Sequence, residues 1–152
     1  DMMKQASDFS GTVPVRPLLP YWKTSNRYLF SGGSVNMRDA AVYAKEENWS
    51  KAVELWKQTY ETKKGKQKMY AAYNTALGYE MQDSIDTALE WALKAQTLAR
   101  EKSKTDKKET GEIHNGTISY YIFISMYVDE LEKRKEGMAR LNMQMNRFDD
   151  DF

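Results

Sequence analysis

Ala40, Tyr43, Trp49, Ala52 and Glu54 recur 36 residues later as Ala76, Tyr79, Ile85, Ala88 and Glu90. No other feature constrains the chain as strongly. A fixed period of this size marks a stack of helical hairpins, in which each unit buries its apolar face only against a neighbour. The expected fold class is therefore all-α, a short array of antiparallel helical hairpins. Stacks of this kind are mostly binding and scaffolding surfaces, so the repeat speaks to architecture before it speaks to a ligand.

The spacing predicts two hairpins over residues 34–99. Met37, Ala40, Ala41 and Ala44 mark one face of a first helix, and Trp49, Ala52, Val53 and Trp56 recur at steps of three and four along a second. Between them Glu46-Glu47-Asn48 turns the chain, and the Asn48 side chain suits a helix N-cap. Gly65 is the expected turn in the polar connection that follows. The second hairpin carries Tyr73, Ala76, Leu77 and Glu80 on one helix and Ile85, Ala88, Leu89, Ala92 and Ala95 on the next, with Asp83 or Ser84 as cap.

The flanks read differently. Residues 1–33 hold all three prolines and are closed by Gly32-Gly33. The alternation of Val13 and Val15 with proline predicts an extended run, and Pro20-Tyr21-Trp22 could open a short helix. So many aromatic residues argue that the segment packs on the repeats. Residues 100–112 contain nine charged residues and end near Gly111, which suits a charged loop, or else an extension of the preceding helix. Residues 113–146 predict a C-terminal capping helix or helix pair, bent or divided at Gly137. Residues 147–152 read as an acidic tail.

On these residues the repeat resembles the tetratricopeptide (TPR) family. A small residue is followed by tyrosine three positions later, an aromatic or apolar residue opens the second helix, and alanine lies twelve positions after the first small residue. Both Ala40, Tyr43, Trp49, Ala52 and Ala76, Tyr79, Ile85, Ala88 fit. The period of 36 departs from the family's 34, no proline ends either repeat, and the third hairpin does not follow the pattern. The resemblance implies a TPR-like array with a concave groove lined by the first helix of each repeat. Carried onto this chain, that groove would present Arg38, Lys45, Tyr70, Tyr73, Asn74 and Glu80 to a partner, with Asn74 similar to the asparagine that holds a bound peptide backbone. A second resemblance, carried by Pro20-Tyr21-Trp22, Arg27-Tyr28, Trp49-Ser50-Lys51-Ala52 and Leu55-Trp56, is to the C-terminal part of a Bacteroides-type family of envelope lipoproteins whose function is uncharacterised. It implies a bacterial envelope address and a chain that is a fragment of something longer.

Chemistry is sparse. There is no cysteine, so disulfides, thiolate metal sites and cysteine nucleophiles are excluded. His114 is the single histidine and has no second ligand at helical spacing, so no metal is expected. The carboxylates Glu46, Glu47, Asp83, Asp86 and Asp129 fall on turns and polar faces. No phosphate loop, nucleophile elbow or zinc spacing occurs. With 23 basic and 22 acidic residues the chain has no strong global field, and the lysine runs at 63–68 and 102–108 suit solvated loops better than nucleic acid. The longest apolar run, Tyr120 to Val128, is too short to span a membrane. The expectation is a non-enzymatic module without cofactor that binds a protein or peptide. The alternative is a structural domain that docks to the rest of its own polypeptide, or to a copy of itself, through the last helix and its methionines.

Overall fold

The computed structural model describes residues 12–15, 27–110 and 115–150. Five helices account for 84% of the described residues, so the chain is mostly helical. Two short strands precede them, β1 (Thr12–Val15) and β2 (Arg27–Phe30). The helices are α1 (Val35–Lys45), α2 (Trp49–Thr62), α3 (Lys66–Met81), α4 (Ile85–Thr110) and α5 (Asn115–Asp150). Each helix packs on the next in sequence, and β2 lies against α3 and α1.

The two predicted turns are built alike. After α1, the Asn48 N–H donates to Tyr43 O at 2.8 Å and the Glu47 N–H to Ala44 O at 3.0 Å. After α3, 36 residues on, the Ser84 N–H donates to Tyr79 O at 2.9 Å and the Asp83 N–H to Glu80 O at 3.0 Å. Glu47 and Asp83 both take positive φ, at 62° and 65°. The repeat is thus carried in backbone hydrogen bonds as well as in side chains. Ser34 and Asn48 cap α1 and α2 by accepting from the Met37 and Lys51 N–H groups. Gly65 forms the turn between α2 and α3.

The core is fine-grained. Ala40, Ala52, Ala76, Ala88, Ala92, Ala95 and Ala99 are fully buried, and Trp49 and Trp56 fill the space beside them. Tyr79 is half-buried, and the Lys57 ammonium lies 5.1 Å from its ring centre. Helices α2 and α3 come close together at Gly78. A Cβ there would stand 2.3 Å from Val53 Cγ2 and 3.2 Å from Trp56.

Two expected boundaries need correction. Residues 100–110 are not a charged loop; the alternative reading, an extension of the preceding helix, holds, and they form the last turns of α4. Lysine and glutamate are good helix formers, Glu101 and Lys104 pair at 3.8 Å one turn apart, and no glycine or proline intervenes before Gly111. The last helix is single, continuous through Gly137 and extended to Asp150, so it includes most of the expected acidic tail. The extended run at Val13 and Val15 is strand β1, paired antiparallel with β2 in the register Thr12↔Phe30 to Val15↔Arg27. The expected helix at Pro20-Tyr21-Trp22, His114 and residues 111–112 lie outside the described residues.

Gly78→Ala tests the α2–α3 contact. Helix propensity alone favours alanine by about 1 kcal/mol. The added methyl meets a stiff β-branched side chain, and overpacking of this kind costs about 1–3 kcal/mol. The net expectation is a lower urea midpoint with an unchanged slope; an unchanged or higher midpoint would mean that α2 and α3 lie further apart.

Candidate functional site

The face of α3 proposed from sequence to meet a partner is occupied by the chain's own strand. Asn74 is fully buried. Its Oδ1 accepts from the Phe30 N–H at 2.9 Å and its Nδ2 donates to Phe30 O at 2.7 Å. One side-chain amide therefore answers both backbone groups of one residue, as an adjacent strand would. One residue earlier on α3, the Tyr73 hydroxyl donates to Tyr28 O. Backbone groups on one edge of a strand alternate by residue, so Tyr28 and Phe30 face α3 while Arg27 and Leu29 face β1.

The Phe30 side chain anchors the strand in an aromatic pocket. Its ring stacks on Tyr70 at 4.2 Å and meets Tyr73, Tyr120 and Phe123 edge-on at 5.3, 6.0 and 6.1 Å. Such geometries suit the ring quadrupoles. The Tyr70 and Tyr120 hydroxyls close the pocket with a hydrogen bond of 2.9 Å.

The other end of β2 is held by charge. Glu80, also fully buried, receives four donors. Arg27 reaches its two oxygens through Nε and Nη2 at 3.1 and 3.2 Å, the Tyr127 hydroxyl donates to Oε1 at 2.9 Å, and Arg134 Nη1 donates to Oε2 at 2.7 Å. Glu130 lies 3.8 Å from Arg27 and Asp83 lies 3.9 Å from Arg134. Burial alone would lower the Arg27 pKa, but its contact with Glu80 raises it instead. Burial pushes the Tyr127 hydroxyl well above its usual range, reinforced by the Glu80 charge, and Tyr73 is raised for the same two reasons. A cleft of about 190 Å³ remains beside this cluster, lined by Tyr28, Tyr73, Phe123, Met126 and Tyr127 with Arg27 and Glu130.

The expectation of an open face at Tyr70, Tyr73, Asn74 and Glu80 is therefore corrected. Tyr73, Asn74 and Glu80 are buried under β2 and α5, and Tyr70 is half-buried. Arg38 and Lys45 are exposed on α1 and take no part in these contacts. Sequence reasoning missed Arg27, Phe30, Tyr127 and Arg134. Only the seven-residue spacing of Tyr127 and Arg134 on α5 hinted that they share a face. Among the described residues no cluster of histidine and carboxylate side chains could hold a metal ion, and no helix is long and apolar enough to cross a membrane.

A family model matches residues 38–133. The chain belongs to the family described as Domain of unknown function (DUF6340). The match takes in Asn74, Glu80 and Tyr127 but stops short of Arg134, and it excludes β2. No curated protein and no solved structure matches the chain.

Two outcomes test this site. Glu80→Ala leaves two buried guanidinium groups without their main partner, and breaking a buried pair from one side costs about 3–5 kcal/mol; chemical denaturation should show a loss of that order. The second concerns alkaline pH. In the unfolded chain Tyr73 and Tyr127 ionise near 10.0, whereas in the fold they keep their protons to higher pH. Above that point the unfolded state binds fewer protons, so stability falls as pH rises, by about 1.4 kcal/mol per unit for each tyrosine. Below it these two groups contribute no slope. Tyr73→Phe should make the alkaline decline shallower in stability measured from pH 8 to 11.

Proposed function

We propose that this domain is a non-enzymatic, TPR-like helical-repeat module whose groove binds an extended protein segment, and that the segment it holds is β2 of its own chain. The observation that carries the proposal is the Asn74 amide bonded to both the N–H and the C=O of Phe30. That pairing recognises extended backbone irrespective of side chain, which is the chemistry of peptide capture. Selectivity then comes from the ends. Glu80 takes an arginine and the Tyr70–Tyr73–Tyr120–Phe123 pocket takes an aromatic ring three residues later. The role is structural: the cradle fixes an N-terminal strand onto a helical stack, as part of a larger protein of the bacterial envelope. The weaker likeness to envelope lipoproteins supports that setting. Glu80 has its oxygens occupied by four donors, which argues for a structural carboxylate over a general acid or base.

The test uses the full chain with its strand weakened, Arg27→Ala with Phe30→Ala. A free peptide of residues 26–31, Asn-Arg-Tyr-Leu-Phe-Ser, should raise the melting temperature of this variant in a saturable way, or restore its folding if it is unfolded alone. The same peptide with alanine for arginine should act at least about tenfold more weakly, the loss of one charge-assisted anchor. A variant that ignores both peptides would remove the groove from any capture role.

A further inference from the structure

The cleft beside the buried charge cluster takes its walls from three elements. Tyr28 comes from β2, Tyr73 from α3, and Phe123, Met126 and Tyr127 from α5. Arg27 and Glu130, 3.8 Å apart, complete the lining. Its volume of about 190 Å³ is below the roughly 300 Å³ at which sites for drug-sized ligands begin, so a guest here is a small molecule or a head group.

Most polar atoms of the lining are engaged inside the protein. The Tyr73 hydroxyl donates to Tyr28 O and the Tyr127 hydroxyl to Glu80. Arg27 turns Nε and Nη2 to Glu80. Little is left to hold the hydroxyls of a sugar or the oxygens of an anion. Glu130 is the exception. Its side chain is 49% exposed, and its single ion-pair contact among the described residues is to the Arg27 nitrogen already bonded to Glu80. The three carboxylates of the cluster, Glu80, Asp83 and Glu130, outnumber the guanidinium groups of Arg27 and Arg134. The rings offer the rest of the surface. Tyr73 meets Phe123 at 5.3 Å and Tyr127 at 5.0 Å, while the half-exposed Tyr28 ring has no ring or cation partner among the described residues.

We propose that this cleft binds a small organic cation, an ammonium group carrying alkyl substituents. Aromatic rings attract such a cation through their quadrupoles and bury its alkyl groups at the same time. A quaternary nitrogen donates no hydrogen bond, so hydroxyls turned inward cost it nothing. Glu130 supplies the opposite charge at an exposed position, and the Met126 thioether adds a polarizable contact. The fold already shows this attraction once: the Arg27 guanidinium lies 5.6 Å from the centre of the Tyr127 ring. The charge of Arg27 is answered by its two bonds to Glu80, which leaves Glu130 for the guest. Two lining residues belong to β2, so the cleft requires that strand in place. It rests on the fold and not on the capture of a free peptide.

The test titrates the full chain with choline chloride and follows the ring protons by NMR. Choline should bind saturably and shift the signals of Tyr28 and Phe123. Its neutral isostere, with a quaternary carbon in place of the nitrogen, should bind at least about tenfold more weakly, because the rings then attract no charge. Tyr28→Ala keeps the backbone carbonyl that Tyr73 uses and should weaken choline about tenfold, whereas Tyr28→Phe keeps the ring face and should bind as the wild type does. Glu130→Gln, at an exposed position, should weaken it about threefold with an unchanged melting temperature. Phosphatidylcholine vesicles separate two sources of the same cation. Vesicle binding that choline competes away supports a lipid head group, and choline binding with vesicles ignored supports a free cation. No saturable binding of choline, equal binding of the neutral isostere, or tighter binding of methyl glucoside or acetate would overturn the proposal. The peptide experiment reads a different surface of β2, so either result can fail without the other.

Discussion

A carboxylate buried among helices must be answered by donors, and Glu80 is answered from both flanks of the sequence. Arg27 comes from a strand 53 residues earlier and Arg134 from the last helix 54 residues later. The desolvation of three charged groups is offset only when all of them arrive. Strand β2, the end of α3 and the middle of α5 are therefore fixed relative to one another by one side chain. An apolar residue at position 80 could hold a similar volume with no such penalty, but it would remove the anchor at the Arg27 end of β2. The arrangement suits a domain whose task is to hold one segment in one register.

Asn74 and the aromatic pocket act on the same strand with different physics. The amide fixes the backbone of Phe30 and is indifferent to its side chain. The four rings around that side chain add apolar burial and oriented quadrupoles. Four residues of strand could not hold themselves against a helical surface by backbone pairing to β1 alone, since an isolated two-stranded ribbon is marginal in water. Anchors at Arg27, Tyr28 and Phe30 account for its place in the structure.

Much of the helical frame was legible because the period repeats what is physically required. A small residue at the crossing, tyrosine at the end of the first helix and a polar cap at the start of the second recur together, and the turns after α1 and α3 share their hydrogen bonds. Asn74 was legible as a clamp for extended backbone. Its occupant was not, because periodicity tells which face of a helix a residue lies on and is silent about what covers that face. Strand β2 is four residues long and has no pattern that distinguishes it from a loop. The charged stretch after Arg100 left two readings open for a related reason: composition announces solvent exposure, and a solvated helix satisfies it as well as a loop does. Arg134 lies one turn beyond the last buried leucine of α5, where charge is expected in any helix.

Proline at position 14 sets the outer limit of the ribbon. It stands opposite Tyr28, whose carbonyl is turned towards Tyr73. The strand alternation therefore aims the backbone of residue 14 away from β2, along the other edge of β1. There the missing N–H removes one of the few donors that a further strand would need. Among the described residues the sheet ends at two strands on that side, while α3 closes the other. With α3 along one side and Pro14 beyond the other, the two-stranded ribbon is a poor template for open-ended β-assembly.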